Sequence, residues 1–369
     1  MERILVVDLS LDKILRALQE EVFRRNPMLV VGSGSSLAAG VPYSIDFPGM
    51  EALAETLREH IPDRLSKHPE GLAQWASCEA SLDKLGLEGA LHKHTISNQH
   101  LLSEIVQLVG DCVAQPDTAF CKHVLSGDVL SFPLQRLIQR LLEGAPAYDP
   151  VVPVLTPNYD RLVEYACFLC GALCCTLFIS HGVSCFDPDA CARAYSYVQA
   201  VSARGRVKGL RKRLRHVALF KPHGSIDWFH SKYGPVALGS EAEGLPRLMV
   251  MPGATKYEAS LKIDVLDRHR QAANDAVSRA HALMFYGYGF NDGHLETALN
   301  TSMTRHCPAL ILAKKLTPGA EAIIEKYPHV WALAEGDSGA TVCRHDGEET
   351  VIEEPMWDLD RFLSEVVEV

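Results

Sequence analysis

Met28-Leu29-Val30-Val31-Gly32-Ser33-Gly34-Ser35-Ser36-Leu37-Ala38-Ala39-Gly40-Val41-Pro42 is the stretch around which the rest of the chain organises. Four apolar residues make a short buried strand. A glycine-serine turn then feeds a run of small residues able to start a helix, which is how a chain brings backbone N–H groups and a helix N-terminus up to a phosphate. A third glycine three residues after Gly34 would complete the dinucleotide fingerprint, but Leu37 stands there. The turn by itself therefore reads as a variant nucleotide-binding turn or as a tight βα loop.

Bulk properties narrow the class. The chain has 369 residues, 47% hydrophobic and 22% charged, the mix of a globular protein with a sizeable core. Its net charge of −10 argues against global attraction to nucleic acid or membrane and leaves room for a local basic patch. The longest apolar candidate, Ala166 to Ser180, is interrupted by Gly171 and too short to span a bilayer. Glu2, Arg3 and Asp8 surround the apolar patch at the N-terminus, which does not read as a secretory signal. A cytoplasmic location is expected. Six of the eleven cysteines fall between Cys167 and Cys191; in a reducing compartment they read as small core hydrophobes.

Residues 10–25 read as a helix with Ser10 as N-cap and Leu11, Ile14, Leu15, Leu18 and Val22 on one face. A second helix is expected from about Pro48 to Glu59. Residues 61–145 carry helical periodicity and no strand pattern. Short apolar strands are expected at Val151 to Leu155, Ala218 to Phe220, Leu248 to Met251, Ala282 to Tyr286, Ala309 to Leu312 and Val330 to Leu333. Helices are expected at Glu258 to Ala280, Thr317 to Lys326 and Asp358 to Val367, and an antiparallel pair within 340–352. Strands alternating with helices indicate an α/β fold, a Rossmann-like parallel sheet covered on both faces. The expected organisation is a first part of that domain over 1–60, a helical module inserted over 61–145, and the remainder over 146–369.

Ligands of such sheets sit beyond the carboxyl ends of the strands, and there the polar clusters gather. After the Gly32 to Ser36 turn come Thr156-Pro157-Asn158-Tyr159-Asp160, then Lys221-Pro222-His223-Gly224-Ser225, then Gly287-Tyr288-Gly289-Phe290-Asn291-Asp292. An Asn and an Asp two apart can grip sugar hydroxyls, and a histidine near neutral pKa can act as general base. Such a set suits a nucleotide whose ribose is the reacting centre. Taken singly, Asn158 and Asp160 read equally well as turn and cap residues of the next helix, and the Gly287 turn as a βα loop.

Three of these motifs, in order, resemble the sirtuin family. Gly32-Ser33-Gly34-Ser35-Ser36-Leu37-Ala38-Ala39-Gly40-Val41-Pro42 is similar to Gly-Ala-Gly-x-Ser-x-x-Ala-Gly-Ile-Pro, Thr156 to Asp160 to Thr-Gln-Asn-x-Asp, and His223-Gly224 to the catalytic Leu-His-Gly. Sirtuin deacylases follow the proline with Asp-Phe-Arg, but Tyr43-Ser44-Ile45 stands here. They also carry a zinc module with two Cys-x-x-Cys pairs, whereas this chain has only Cys167-Phe168-Leu169-Cys170. No zinc is expected, with a set drawn from Cys174, Cys175, His181, Cys185 and Cys191 as the alternative.

With Gly-Tyr-Gly-Phe-Asn-Asp-x-His added, the chain resembles the bacterial defence-associated, NAD-hydrolysing branch of that family. The resemblance implies NAD as substrate, cleaved to nicotinamide and ADP-ribose. It implies the pyrophosphate on Gly32, Ser33, Gly34 and Ser36, Asn158 on the nicotinamide ribose or the attacking water, Asp160 fixing that geometry and His223 as general base. Thr156 belongs to the same ribose-side motif. Gly287, Tyr288, Gly289, Phe290 and Asn291 would approach the adenosine half, with Pro42 and Asp46 in the loop that closes the site. It also implies a homo-oligomer or a HerA-type ATPase partner. The rival readings are an NAD-dependent protein deacylase and a module that senses NAD or ADP-ribose without turnover. A last feature is Arg204 to Arg215, seven cations in twelve residues, readable as a contact to DNA or to an acidic partner, or as a solvated loop or helix face. No aromatic interleaves it.

Overall fold

The computed structural model describes residues 10–94, 96–180, 183–203, 206–239, 242, 244–251 and 264–366. Its centre is a nine-stranded sheet, ordered β16-β15-β14-β13-β12-β1-β2-β8-β3. The strands run β1 (Met28–Val31), β2 (Val151–Leu155), β3 (Leu173–Cys175), β8 (His216–Phe220), β12 (Leu283–Tyr286), β13 (Ala309–Ala313), β14 (Val330–Glu335), β15 (Thr341–His345) and β16 (Glu348–Ile352). All pairings from β3 through β14 are parallel, and β15 and β16 close one edge antiparallel. This is a Rossmann-like α/β fold. From β1 the chain adds β2, β8 and β3 on one side, then crosses to β12, β13 and β14 on the other. The order therefore reverses between β1 and β12, where a parallel sheet opens a crevice for ligands.

Alternation along the strands explains the two covered faces. Leu29, Val31, Val152, Val154, Met284, Leu310 and Leu333 pack with the helices Leu11–Glu21, Pro133–Gly144, Leu162–Leu169 and Leu359–Val366. Met28, Val30, Leu155, Phe285, Ile311 and Ala332 pack with Asp264–Arg279, Gly293–Thr304 and Pro318–Lys326. Met28 to Val31 are at most 1% exposed, and each such side chain contributes about 1.5–3 kcal/mol.

The helices Met50–Arg64, Pro69–Glu79, Leu82–Lys93 and Gln99–Ser126 enclose a second core. The last of these begins on Asn98, whose side chain accepts the Leu101 N–H, and stops at Gly127 in the left-handed conformation. Its first half packs within the helical group, through Leu101, Ile105 and Val113. Its second half, through Phe120 and Val124, packs on the sheet side, as does Pro133–Gly144. The two cores thus divide inside one helix, not at the ends of the 61–145 stretch.

Several local expectations change. Ser10 precedes the first helix, but its side chain makes no capping bond; its carbonyl accepts from Lys13 and Ile14 instead. The strand expected over Leu248 to Met251 is β11 (Arg247–Met249) and belongs to a separate antiparallel sheet, ordered β11-β9-β10-β5-β4. Its other strands are β4 (Phe178–Ser180), β5 (Ser184–Phe186), β9 (Gly224–Ser231) and β10 (Gly234–Ala237). The helix expected from Glu258 begins among the described residues at Asp264, and its first part lies outside them. Over Arg206–Arg213 the basic stretch is neither loop nor helix: β6 (Ser196–Ala203) and β7 (Arg206–Arg213) form a two-stranded ribbon, while Arg204 and Gly205 lie outside the described residues. Arg215, just beyond, reaches the Leu142, Glu143 and Ala145 carbonyls at the end of Pro133–Gly144.

Candidate active site

A cavity lies at the carboxyl ends of β1, β2, β8 and β12. It is lined by Gly32, Ser33, Ser36, Asn158, Asp160 and His223 and by the turn Tyr288 to Asp292. Pro48, Met50, Leu53, Glu88 and Val113 form the opposite wall, so the helical group roofs the crevice. The cavity volume is about 170 Å³.

The floor is made by two turns in backbone contact. The Gly34 N–H donates to the Gly287 carbonyl at 3.0 Å. A Cβ on Gly32 would stand 2.4 Å from the Gly287 carbonyl oxygen, and one on Gly34 2.9 Å from the Gly287 Cα. Gly287 has φ +60°, and its own Cβ would stand 2.5 Å from the Ser35 nitrogen. These glycines are needed because strands on either side of the topological switch deliver their loops to the same point. The contact also occupies the expected phosphate cradle: Gly34 donates to Gly287, and Ser35 donates to Gly32 through its N–H and its hydroxyl.

Ser36, Asn158 and Asp160 form one hydrogen-bonded unit. The Ser36 hydroxyl donates to Asp160 Oδ2 at 2.7 Å, while Asn158 Nδ2 donates to Ser36 Oγ and to the Gly32 carbonyl, both at 3.0 Å. Thr156 sits beneath, its hydroxyl accepting the Asn158 N–H at 3.1 Å. Asp160 Oδ1 also accepts the Leu162 N–H at the start of Leu162–Leu169, so this carboxylate serves the turn into that helix as well as facing the cavity. Burial pushes the Asp160 carboxyl above the usual range, against the opposing pull of Lys221 and the Ser36 hydroxyl.

Lys221 is fully buried under this unit. Its Nζ donates to the Asp160 carbonyl at 2.5 Å, Ser225 Oγ at 2.8 Å, Glu164 Oε1 at 3.2 Å and the Tyr159 carbonyl at 3.4 Å. The lysine of the Lys-Pro-His-Gly-Ser motif is thus a clamp on the loop after β2, a role its place beside His223 did not disclose. Burial pushes the Glu164 carboxyl up to about 7, Lys221 opposing.

His223 faces the unit from β8. Its Nε2 lies 2.7 Å from Asp292 Oδ2, with the two side chains 12% and 8% exposed. Asp292 ends the Gly287 turn, and its Oδ1 accepts the Leu295 N–H at 3.4 Å. The sequence shows this acid but not that it turns back to the histidine. Tyr288 lies against the cavity with a buried hydroxyl that has no partner among the described residues. Glu88, from the helical group, had no sequence signal at all.

Of the expected residues, Gly32, Ser33, Ser36, Asn158, Asp160, His223, Tyr288, Gly289, Phe290 and Asn291 line this one cavity. Gly34, Thr156 and Gly287 build its floor. Pro42 and Asp46 do not reach it: both are exposed and outside the lining. Between them Tyr43 packs on the rings of Phe120 and His123, centroids 5.8 Å away in each case. That anchors the loop to Gln99–Ser126 and carries Pro42 and Asp46 away from the crevice. The cysteines from Cys167 to Cys191 are free thiols, and no cluster of three metal-ligating side chains occurs among the described residues.

No protein-family model and no curated protein sequence matches the chain. Among solved structures it is similar to a Sir2 complex with a p53 peptide and NAD+, at 12% identity over 98% of this chain and 100% of that one, TM-score 0.42. Another similar structure is titled the structural basis for the mechanism and regulation of Sir2 enzymes, at 12% identity over 97% and 98%, TM-score 0.41. A third is a Sir2 homologue mutant with ADP-ribose, at 13% identity over 85% and 88%, TM-score 0.39.

The charge of the cavity limits its chemistry. Glu88, Asp160 and Asp292 line it, and among the described lining residues no lysine or arginine does. Such a site disfavours an anion inside and favours a centre that carries or develops positive charge. A histidine backed by a carboxylate faces that space, the arrangement of an oriented general base.

Proposed function

We propose that this protein is an NAD+ glycohydrolase. The carrying observation is the acid-lined cavity holding the Ser36–Asn158–Asp160 unit opposite the His223–Asp292 pair. The nicotinamide end of NAD+ is cationic, and breaking its C1′–N bond leaves an oxocarbenium-like ribose; Asp160 and Glu88 suit both. The bonding pair leaves with nicotinamide, and a water oxygen adds to C1′. His223 takes the water proton, giving ADP-ribose. The imidazolium that forms is stabilised by the Asp292 carboxylate 2.7 Å from Nε2. Asn158 orients the ribose or the water. The space of about 170 Å³ is below the roughly 300–1,000 Å³ of sites that enclose a ligand. The pyrophosphate and adenosine therefore extend beyond it, past the part of its lining formed by Ser33 and Gly289 to Asn291.

Tyr43, packed on Phe120 and His123, stands where a deacylase places Asp-Phe-Arg, and this favours hydrolysis over deacylation. The motifs resemble the defence-associated branch, so we assign the protein an antiphage role, gated by self-assembly or by a HerA-type ATPase. Nicotinamide release is the test, measured with and without an acyl-lysine peptide and with and without the ATPase. Release without peptide, lost in Asn158→Ala and His223→Ala, is the expected result. Release only with peptide means a deacylase, and thermal stabilisation by NAD+ without product means a sensor.

A further inference from the structure

We propose that the β6–β7 ribbon, together with an arginine-lined recess at its base, docks duplex nucleic acid through the phosphate backbone. Residues 190–226 contain no Asp or Glu in a chain that has 46. Within this acid-free stretch the ribbon pairs with no third strand among the described residues. Lys208, Arg211, Lys212 and Arg213 make no ion pair with any described residue. Cations left unpaired in an acidic protein are held for a partner that brings the negative charge.

The register shows why that partner is a duplex. Residues directly opposite share a face, so Val198–Arg211 and Ser196–Arg213 occupy one face, while Tyr197–Lys212 and Val201–Lys208 occupy the other. Both faces are open: Val198 is 67% exposed, Leu210 52% and Tyr197 46%. A ribbon charged on both faces matches a groove walled by two phosphate rows, and the major groove admits a two-stranded ribbon. An acidic protein surface would meet only one face. The facing strand also supplies the aromatic that the basic stretch itself lacks.

The charge continues past the ribbon. Arg213 lines a recess at the opposite end of the sheet from the cavity, together with Arg24, Arg25, Arg279 and His281. Asp149 lines it too, and Arg24 is already paired with Glu20. Arg25 and Arg279 remain, both exposed. Six cations thus follow one path from the ribbon to the N-terminal edge of β1. Such contacts fix position without reading sequence.

Titration of a labelled 30-base-pair duplex with the full chain between 50 and 200 mM KCl tests this. Six phosphate contacts give a slope of log K against log[salt] of about −5, or roughly a thousandfold loss across that range. Lys208→Gln/Arg211→Gln/Lys212→Gln should reduce the slope to about −3, and Arg25→Gln/Arg279→Gln to about −4. Nicotinamide release without DNA should stay at the parent level in both variants, so failure of the hydrolase reading leaves the titration to be judged alone. No binding at 50 mM, an unchanged slope in the triple variant, or poly-glutamate competing as well as duplex would each overturn the proposal, the last in favour of an acidic protein partner.

Discussion

Replacing Lys221 by Met keeps the stem of the side chain and removes only its charge and donors. In the parent, Nζ serves the Asp160 and Tyr159 carbonyls, Ser225 and Glu164 at 2.5–3.4 Å. Breaking a buried ion pair by removing one partner costs about 3–5 kcal/mol. The low end applies, because the Glu164 side chain keeps 22% exposure and can discharge by taking a proton. Burial already raises that carboxyl to about 7 with the lysine present, and losing Lys221 raises it further. In the parent, the charged form that pairs with Lys221 therefore dominates at pH 8 and the neutral form at pH 6. Lys221→Met should therefore cost about 3 kcal/mol at pH 8 and clearly less at pH 6. Adding Glu164→Gln should recover part of the loss at pH 8. Urea unfolding followed by circular dichroism and tryptophan fluorescence, with coincident transitions as the two-state test, measures this. Equal losses at both pH values, or a loss under about 1 kcal/mol at pH 8, would refute the clamp.

Glu164→Gln alone carries its own pH signature. The folded carboxyl sits above its usual 4.5, at about 7, so its contribution is full below pH 4.5 and is lost as pH rises through 7; the glutamine variant should lack that decline in a Tm-against-pH series. Asp292→Asn should lower nicotinamide release by about two to four orders of magnitude, the scale of oriented acid–base catalysis, while isothermal titration shows NAD+ binding little changed. Gly287→Ala forces a side chain into φ +60° with its Cβ 2.5 Å from the Ser35 nitrogen. Overpacking and left-handed strain should together cost about 2–4 kcal/mol in denaturant unfolding.

The central sheet was legible because its strands are short apolar runs ending in polar turns, a pattern that buried parallel strands produce directly. The same rule failed on residues 173–186 and 224–237. There four strands are only three or four residues long, and β9, though mostly buried, mixes Ser225, Asp227 and His230 among its apolar residues, so no continuous apolar run marks them. Leu248 to Met251 does look like a parallel strand, and only its partner β9 makes it antiparallel; pairing is a tertiary fact. Within the site, Ser36, Asn158, Asp160 and His223 were readable because each closes a strand end. Glu88 was not, since one acid on the short helix Leu82–Lys93 carries no mark of what that helix will face. Pro42 and Asp46 went astray because the ring packing of Tyr43 on Phe120 and His123 depends on a helix some 80 residues further along the chain.

The backbone contact between the turns at Gly32 to Ser35 and at Gly287 has a mechanical consequence. No side chain lies between them to rotate away, and separating them breaks hydrogen bonds that hold β1 to β12. The sheet side of the crevice is therefore its fixed jaw. Admission of anything larger than the cavity falls to the opposite jaw, formed by Pro48, Met50, Leu53, Glu88 and Val113. A contact that shifts the helical group by the width of one side chain would meter access to His223 without disturbing the residues that surround it.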